Sequence, residues 1–263
     1  MLGAVDQLIS LVSYGNDALY TGHTTIEFLD HPNYDFANKN IWVTGKRYFN
    51  NETQKYYVVN NANMWFERLI AESCTKLRLL FSPSTLDKPS FTQAGYDEGG
   101  KWFVKAVYEG YSDYWILSGL SHYQYVSTET YNKAVSDTIS EDQLTNLKTQ
   151  LAETLNDIAE FAKEISNNRW APWRPFVEAQ RILKNPEPYN SYYYKDILVN
   201  KNYSLLALQV FFCAANAWCF NGMGSWADIG GFSDSDYNNR YYKLTEQLYL
   251  TVCRAIAASI NSF

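Results

Sequence analysis

Apolar residues recur along this chain at two spacings, and each change of spacing marks a change of element. Leu2, Val5, Leu8, Ile9 and Val12 repeat at steps of three and four, so residues 1–20 predict an amphipathic helix ending near Gly15 and Asn16. The polar stretch 21–40, with His31, Pro32 and Asn33, reads as a loop. Over 41–61 the period drops to two, with β-branched and aromatic residues on both sides of a polar turn at 50–53, the pattern of a β-hairpin. Helical spacing returns at Met64, Trp65, Leu69 and Ile70, and 77–81 then reads as a buried strand stopped by Pro83.

Beyond a loop rich in Pro, Ser and Gly, aromatic strands are expected over 101–109, 111–118 and 122–126, with Gly110 and Gly119 as turns. Short turns join antiparallel neighbours, which gives a meander or one face of a sandwich. The clearest helix covers 140–168. Ser140 and Gln143 form a capping box ahead of Leu144, Leu147, Leu151, Leu155, Ile158, Ala162 and Ile165. A shorter helix over 176–184 is stopped by Pro186 and Pro188, and the apolar run from Tyr203 reads as a buried strand. After a Gly-rich loop over 222–235, a final helix over 241–259 presents Leu244, Leu248, Val252, Ala255 and Ile256.

With 263 residues, 46% of them hydrophobic, the chain is long enough for a substantial core in a single domain. Charged residues make up 19%, below the roughly 25% of ordinary soluble domains, so much of the surface is uncharged and suited to contacts with other protein. The net charge of −6 and the absence of any basic run argue against nucleic acid as a direct partner. The most apolar segment, 205–220, falls short of the roughly 20 residues that cross a bilayer, and no membrane partner is expected. Asp6 interrupts the N-terminal apolar stretch, which lacks the basic flank of a signal peptide. Cys74, Cys213, Cys219 and Cys253 are too scattered for a disulfide framework or a zinc site and read as buried thiols.

Catalytic chemistry finds little support. His23, His31 and His122 have no adjoining nucleophile motif, and Gly222, Gly224, Gly230 and Gly231 lack the spacing of a phosphate cradle. The acidic pairs Asp97-Glu98 and Glu141-Asp142 offer no more, since the second sits where a helix start favours acid. The chain is read as a non-enzyme that requires no cofactor or metal. One binding alternative remains: a glycan-binding β-sandwich module with Trp102, Tyr114 and Trp115 as its aromatic platform.

Tyrosine changes the picture most. There are 22, some of them in runs at 56–57, 192–194 and 241–242. A phenol is neutral below a pKa of about 10, so contacts built on it are firm near neutrality and repel in alkali. Ionising all 22 would add 22 negative charges to a net charge of −6. The pH-responsive candidates are Tyr111, Tyr114, Tyr192, Tyr193, Tyr194, Tyr241 and Tyr242. In a strand, Tyr193 would point away from both its neighbours, so part of that run must face solvent or another chain.

Four segments, in order along the chain, resemble the polyhedrins of cypoviruses, the insect reoviruses that occlude their particles in protein crystals. They are Ile41-Trp42-Val43 with the hairpin to Asn60-Asn61; residues 79–84 (Leu-Leu-Phe-Ser-Pro-Ser); Gly110-Tyr111-Ser112-Asp113-Tyr114; and residues 190–208, containing Tyr193-Tyr194-Lys195-Asp196-Ile197 and Asn202-Tyr203-Ser204. The resemblance implies an α+β fold, an antiparallel β-sandwich flanked by helices in α-β-α layers. Residues 1–20 would project as an N-terminal helical arm, 40–210 would form the core, and 211–263 would be a C-terminal extension. It further implies a structural matrix protein whose partners are itself, as a homotrimer in a crystal lattice, and virus particles. Such crystals form in the cytoplasm of the infected cell and dissolve in the alkaline gut. Some members of the family bind nucleotides in the lattice, but no residue here matches that site.

Overall fold

A computed structural model describes residues 3–23, 42–49, 53–59, 62–83, 91, 100–118, 139–166, 172–191, 197–220 and 226–263. The elements in chain order are helix α1 (Gly3–Thr21), strands β1 (Trp42–Phe49) and β2 (Thr53–Val59), helix α2 (Ala62–Ala71), strands β3 (Lys76–Pro83), β4 (Gly100–Tyr108) and β5 (Tyr111–Ser118), then helices α3 (Glu141–Ile165), α4 (Arg174–Ile182), α5 (Leu205–Asn216) and α6 (Ser235–Asn261). The class is α+β, and the five strands form one antiparallel sheet in the order β2-β1-β5-β4-β3.

The hairpin pairs Phe49 with Thr53 and Val43 with Val59, as the period of two predicts. Helix α2 then carries the chain to the far edge of the sheet, and β3-β4-β5 returns inward until β5 closes on β1, with Trp115 opposite Gly45. The turn between β4 and β5 requires its glycine, since Gly110 sits at φ +83. The expected strand at 122–126 lies outside the described residues.

Alternation aims one face of the sheet at the helices. Leu77 pairs with Ala106 and Leu79 with Val104, and Trp115 next to Val104 continues the buried row. Helices α1, α2 and α6 cover this face: Gly15 of α1 lies against Leu77 and Phe66, Trp65 of α2 meets Trp115, and Tyr249 of α6 meets Phe81. Helices α3 and α5 pack on α6, and α4 packs on α3 and α5. A part-buried relay joins α3 to α5 and to the segment that follows α4. Lys148 Nζ donates to Gln209 Oε1 at 2.7 Å, and Gln209 Nε2 donates to the Asn185 carbonyl at 2.8 Å.

Two sequence expectations change. The N-terminal helix does not project as an arm: Val5, Leu8, Ile9, Leu11 and Val12 are all buried, because a helix this apolar is stable only against a partner, and its own sheet supplies one. The apolar run after Tyr203 is helix α5, not a strand. Its Leu and Ala favour helix, and the Ser204 hydroxyl caps it by accepting from Ala207 N. Being apolar all round, it has no period to read, and it is buried accordingly. The expected C-terminal extension, 211–263, contains α6, which packs on β3 as well as on α3 and α5. Helix α3 matches expectation closely, down to the reciprocal capping box of Ser140 and Gln143.

The outer edge of β3 is closed by side chains at Leu77 and Leu79. Leu77 N donates to Asn16 Oδ1 at 2.7 Å and Asn16 Nδ2 donates back to the Leu77 carbonyl at 3.1 Å. Two residues on, Asn261 repeats the arrangement with Leu79, at 2.7 and 2.8 Å. Gly15 makes the close approach of α1 possible. A Cβ there would collide with Leu77 Cδ1 and lie 2.9 Å from Phe66 Cε1. Gly15→Ala is expected to lower stability by about 1–3 kcal/mol through overpacking, measured by urea unfolding. A stability equal to the parent's would show that α1 shifts freely against β3.

Candidate functional site

The phenols divide between core and surface. Neighbouring positions on a helix point about 100° apart, so Tyr241 and Tyr242 of α6 face different surroundings. Tyr241 is 1% exposed, and its hydroxyl donates to the Trp226 carbonyl at 2.8 Å. Its ring lies 5.6 Å from that of Trp226, 5.8 Å from Phe232 and 6.0 Å from Phe91. Burial, helped by Cys219 and Tyr242, pushes this phenol well above its ordinary pKa of 10.0. Tyr242 is 36% exposed, with its ring against Phe91 and Tyr241. Of this pair, only Tyr242 reaches the surface.

Beside this cluster, Glu164 and Arg240 form a two-pronged ion pair at 3.0 and 3.1 Å, and Arg240 stacks 5.0 Å over Phe161. The Glu164 carboxylate also accepts from Tyr237, which raises that phenol's pKa, while the bond from Arg240 lowers the carboxyl's own. Tyr111 is half-buried and stacks flat on Tyr108 across the β4-β5 turn, with ring centres 4.5 Å apart. Tyr114, also half-buried, lies 6.2 Å from Phe103. Tyr192, Tyr193 and Tyr194 lie outside the described residues. Two further tyrosines differ widely in exposure. Tyr20, at the end of α1, is 85% exposed, while Tyr203 is buried, donates to the Ile260 carbonyl at 3.4 Å and is pushed up by burial.

The aromatic platform does not form. Trp115 is 2% exposed and packs edge-on to Trp65, Trp102 leans on Phe81 at 4.8 Å, and strand alternation turns Tyr114 to the opposite face from both. His23 is exposed, with Nδ1 3.0 Å from the Thr21 carbonyl oxygen, while His31, His122, Asp97, Glu98, Gly222 and Gly224 lie outside the described residues. Glu141 and Asp142 are exposed in the first turn of α3, where the helix dipole favours acid. The left-handed Gly231 hydrogen-bonds its N–H to Asn238 Oδ1, and Gly230 lies against the Tyr241 ring. The four cysteines are free, and burial raises all their thiols, that of Cys74 to about 12. Among the described residues no group of His, Cys, Asp and Glu is placed to hold a metal ion, and no helix is long and apolar enough to cross a membrane.

A polar stripe runs along α1 beside the apolar one. Asp6, Ser10, Ser13 and Asp17 recur at steps of four, three and four, and all are buried. Ser10 Oγ donates to the Ile197 carbonyl at 3.3 Å, Val199 N donates to Ser13 Oγ at 3.0 Å, and Asn202 Nδ2 donates to Asp17 Oδ1 at 2.7 Å. The chain from 197 to 202 therefore runs alongside α1, bonded at each turn of the helix. At the start of the stripe, Asp6 Oδ1 is buried without a hydrogen bond, and burial raises its carboxyl to about 6. Comparison with known proteins finds no family model, curated protein or solved structure that matches this chain.

Two pH responses follow from these burials. The Asp6 carboxyl binds its proton more tightly folded than unfolded, so its contribution is complete below the unfolded value of 3.8 and is lost as pH rises through about 6. The parent's urea stability is expected to fall by roughly 2 kcal/mol across that window, and in Asp6→Asn the fall should disappear. A slope that persists in the variant would assign it to other groups. The Tyr203 and Tyr241 phenols obey the same sign higher up, complete below about pH 10 and lost above it. A Tyr203→Phe, Tyr241→Phe double variant should lose about 1 kcal/mol per hydrogen bond at neutral pH yet show a shallower alkaline decline. An unchanged decline in circular dichroism between about pH 10 and 12 would remove these two phenols from the account.

Proposed function

We propose that this chain is a structural matrix protein that assembles with copies of itself into intracellular crystals enclosing virus particles, the role of the cypovirus polyhedrins it resembles. The observation that carries the reading is the tyrosine load of 22, found together with four polyhedrin-like segments in chain order. Supporting it are the low charge of 19% and phenols that reach the surface at Tyr20 and Tyr242. In this reading the five-stranded sheet is one layer of a full antiparallel sandwich, and trimers are the unit of the lattice. The role is non-catalytic, the crystals form in the cytoplasm of the infected cell, and neither nucleic acid nor membrane is a direct partner. No resident cofactor is needed, and a nucleotide in the lattice has no matched residues.

Neutral surface phenols combine a large apolar face with one hydroxyl, which suits them to contacts between copies. Above about pH 10 each contact loses a donor and gains like charges at short range. The chain expressed in insect cells is expected to form refractile cytoplasmic crystals that persist in neutral detergent and dissolve above about pH 10. A product that stays dispersed at neutral pH at every expression level would reject the proposal. Dissolution already at about pH 8 would replace phenols with a different trigger.

A further inference from the structure

Both ends of the chain meet at the outer edge of β3, and each brings a carboxamide. In an antiparallel sheet, alternate residues turn N–H and C=O together toward the same edge, and Leu77 and Leu79 are successive outward sites of this kind. A carboxamide carries a donor and an acceptor side by side, so Asn16 at Leu77 and Asn261 at Leu79 each satisfy one site as a neighbouring strand would. They do so without offering a further edge. Asn16 and Asn261 are buried to 3% and 2% exposure, so the strand has no room for a second chain while they stay in place.

The two guards are held differently. Asn16 sits mid-helix on a buried element. Asn261 is the last residue of α6, and strand residues grip the helix end in return: Arg78 donates to the Asn261 carbonyl, and Lys76 Nζ donates to the Phe263 carbonyl at 2.7 Å. The guarded strand is suited to pairing with itself. In an antiparallel register centred on Leu79, outward site 77 meets 81 and 79 meets 79, while Arg78 falls opposite Leu80 and Lys76 opposite Ser82, so no like charges face each other. An edge of such apolar, β-forming sequence is a template for edge-to-edge pairing.

We propose that Asn16 and Asn261 are a two-point guard that keeps β3 from pairing with the β3 of a second copy. The inference is independent of the crystal-matrix reading, because it concerns a contact the native fold prevents.

The test compares the parent chain, Asn16→Ala, Asn261→Ala, the double variant and Leu155→Ala, a core change in α3 that leaves the edge intact. Self-association is measured by sedimentation velocity in the buffer where the parent runs as its smallest species, with a labelled peptide copying residues 76–83 as a second probe. Each lost carboxamide is expected to strengthen association by about tenfold, the equivalent of one net hydrogen bond. The peptide should bind the guard variants and not the parent or Leu155→Ala. Guard variants that associate no more than the parent overturn the proposal. So does Leu155→Ala associating as strongly as they do, which would indicate general loosening. Should the double variant fail to fold, the single Asn261→Ala variant and the peptide decide by the same criteria. Failure of the parent to crystallise in cells bears on the matrix reading alone.

Discussion

A strand edge buried under helices must have its backbone bonds made by something, and at β3 two asparagine side chains make them. This constraint organises the molecule. Asn16 comes from the first helix, Asn261 from the last, and the strand between them from the first third of the chain, so closing one edge ties both ends to the middle. The close approach of α1 requires glycine at position 15, and the end of α6 is fixed by Lys76 and Arg78, cations placed where a helix terminus exposes carbonyl oxygens. These are contacts across 61 and about 180 residues of sequence, so the sheet is completed only when both terminal helices dock.

Helix α6 links the other layers. Its C-terminal half is buried among α5, α3 and β3, and its N-terminal half places Tyr241 against Trp226, Phe91 and Phe232. Placement decides what a phenol does in alkali. Buried ones, Tyr203 and Tyr241, resist ionisation and convert high pH into loss of fold stability. That loss begins above the ordinary phenol pKa of about 10.

How much the sequence disclosed depends on the range of the signal. Spacing alone gave the 42–59 hairpin, because alternation and a polar turn are local. It gave α3 because a capping box and a leucine stripe lie within one element. It gave the β4-β5 turn through Gly110. It failed at α5, where a run apolar on every side carries no period, although Ser204 stood at the start as a cap signal. The buried polar stripe of α1 was visible as a spacing, but its meaning depended on residues nearly 190 positions away.

The sequence by itself determined most of the elements and the tyrosine load, since these depend on composition and on neighbours a few residues apart. Tertiary structure alone decided which side chains are inside. It turned α1 from a presumed arm into core, sealed Trp115 beneath α2, divided Tyr241 from Tyr242, and made Asn16 and Asn261 the edge of a sheet. Burial and edge closure are pairings between distant segments, and no local period records which distant segment will arrive.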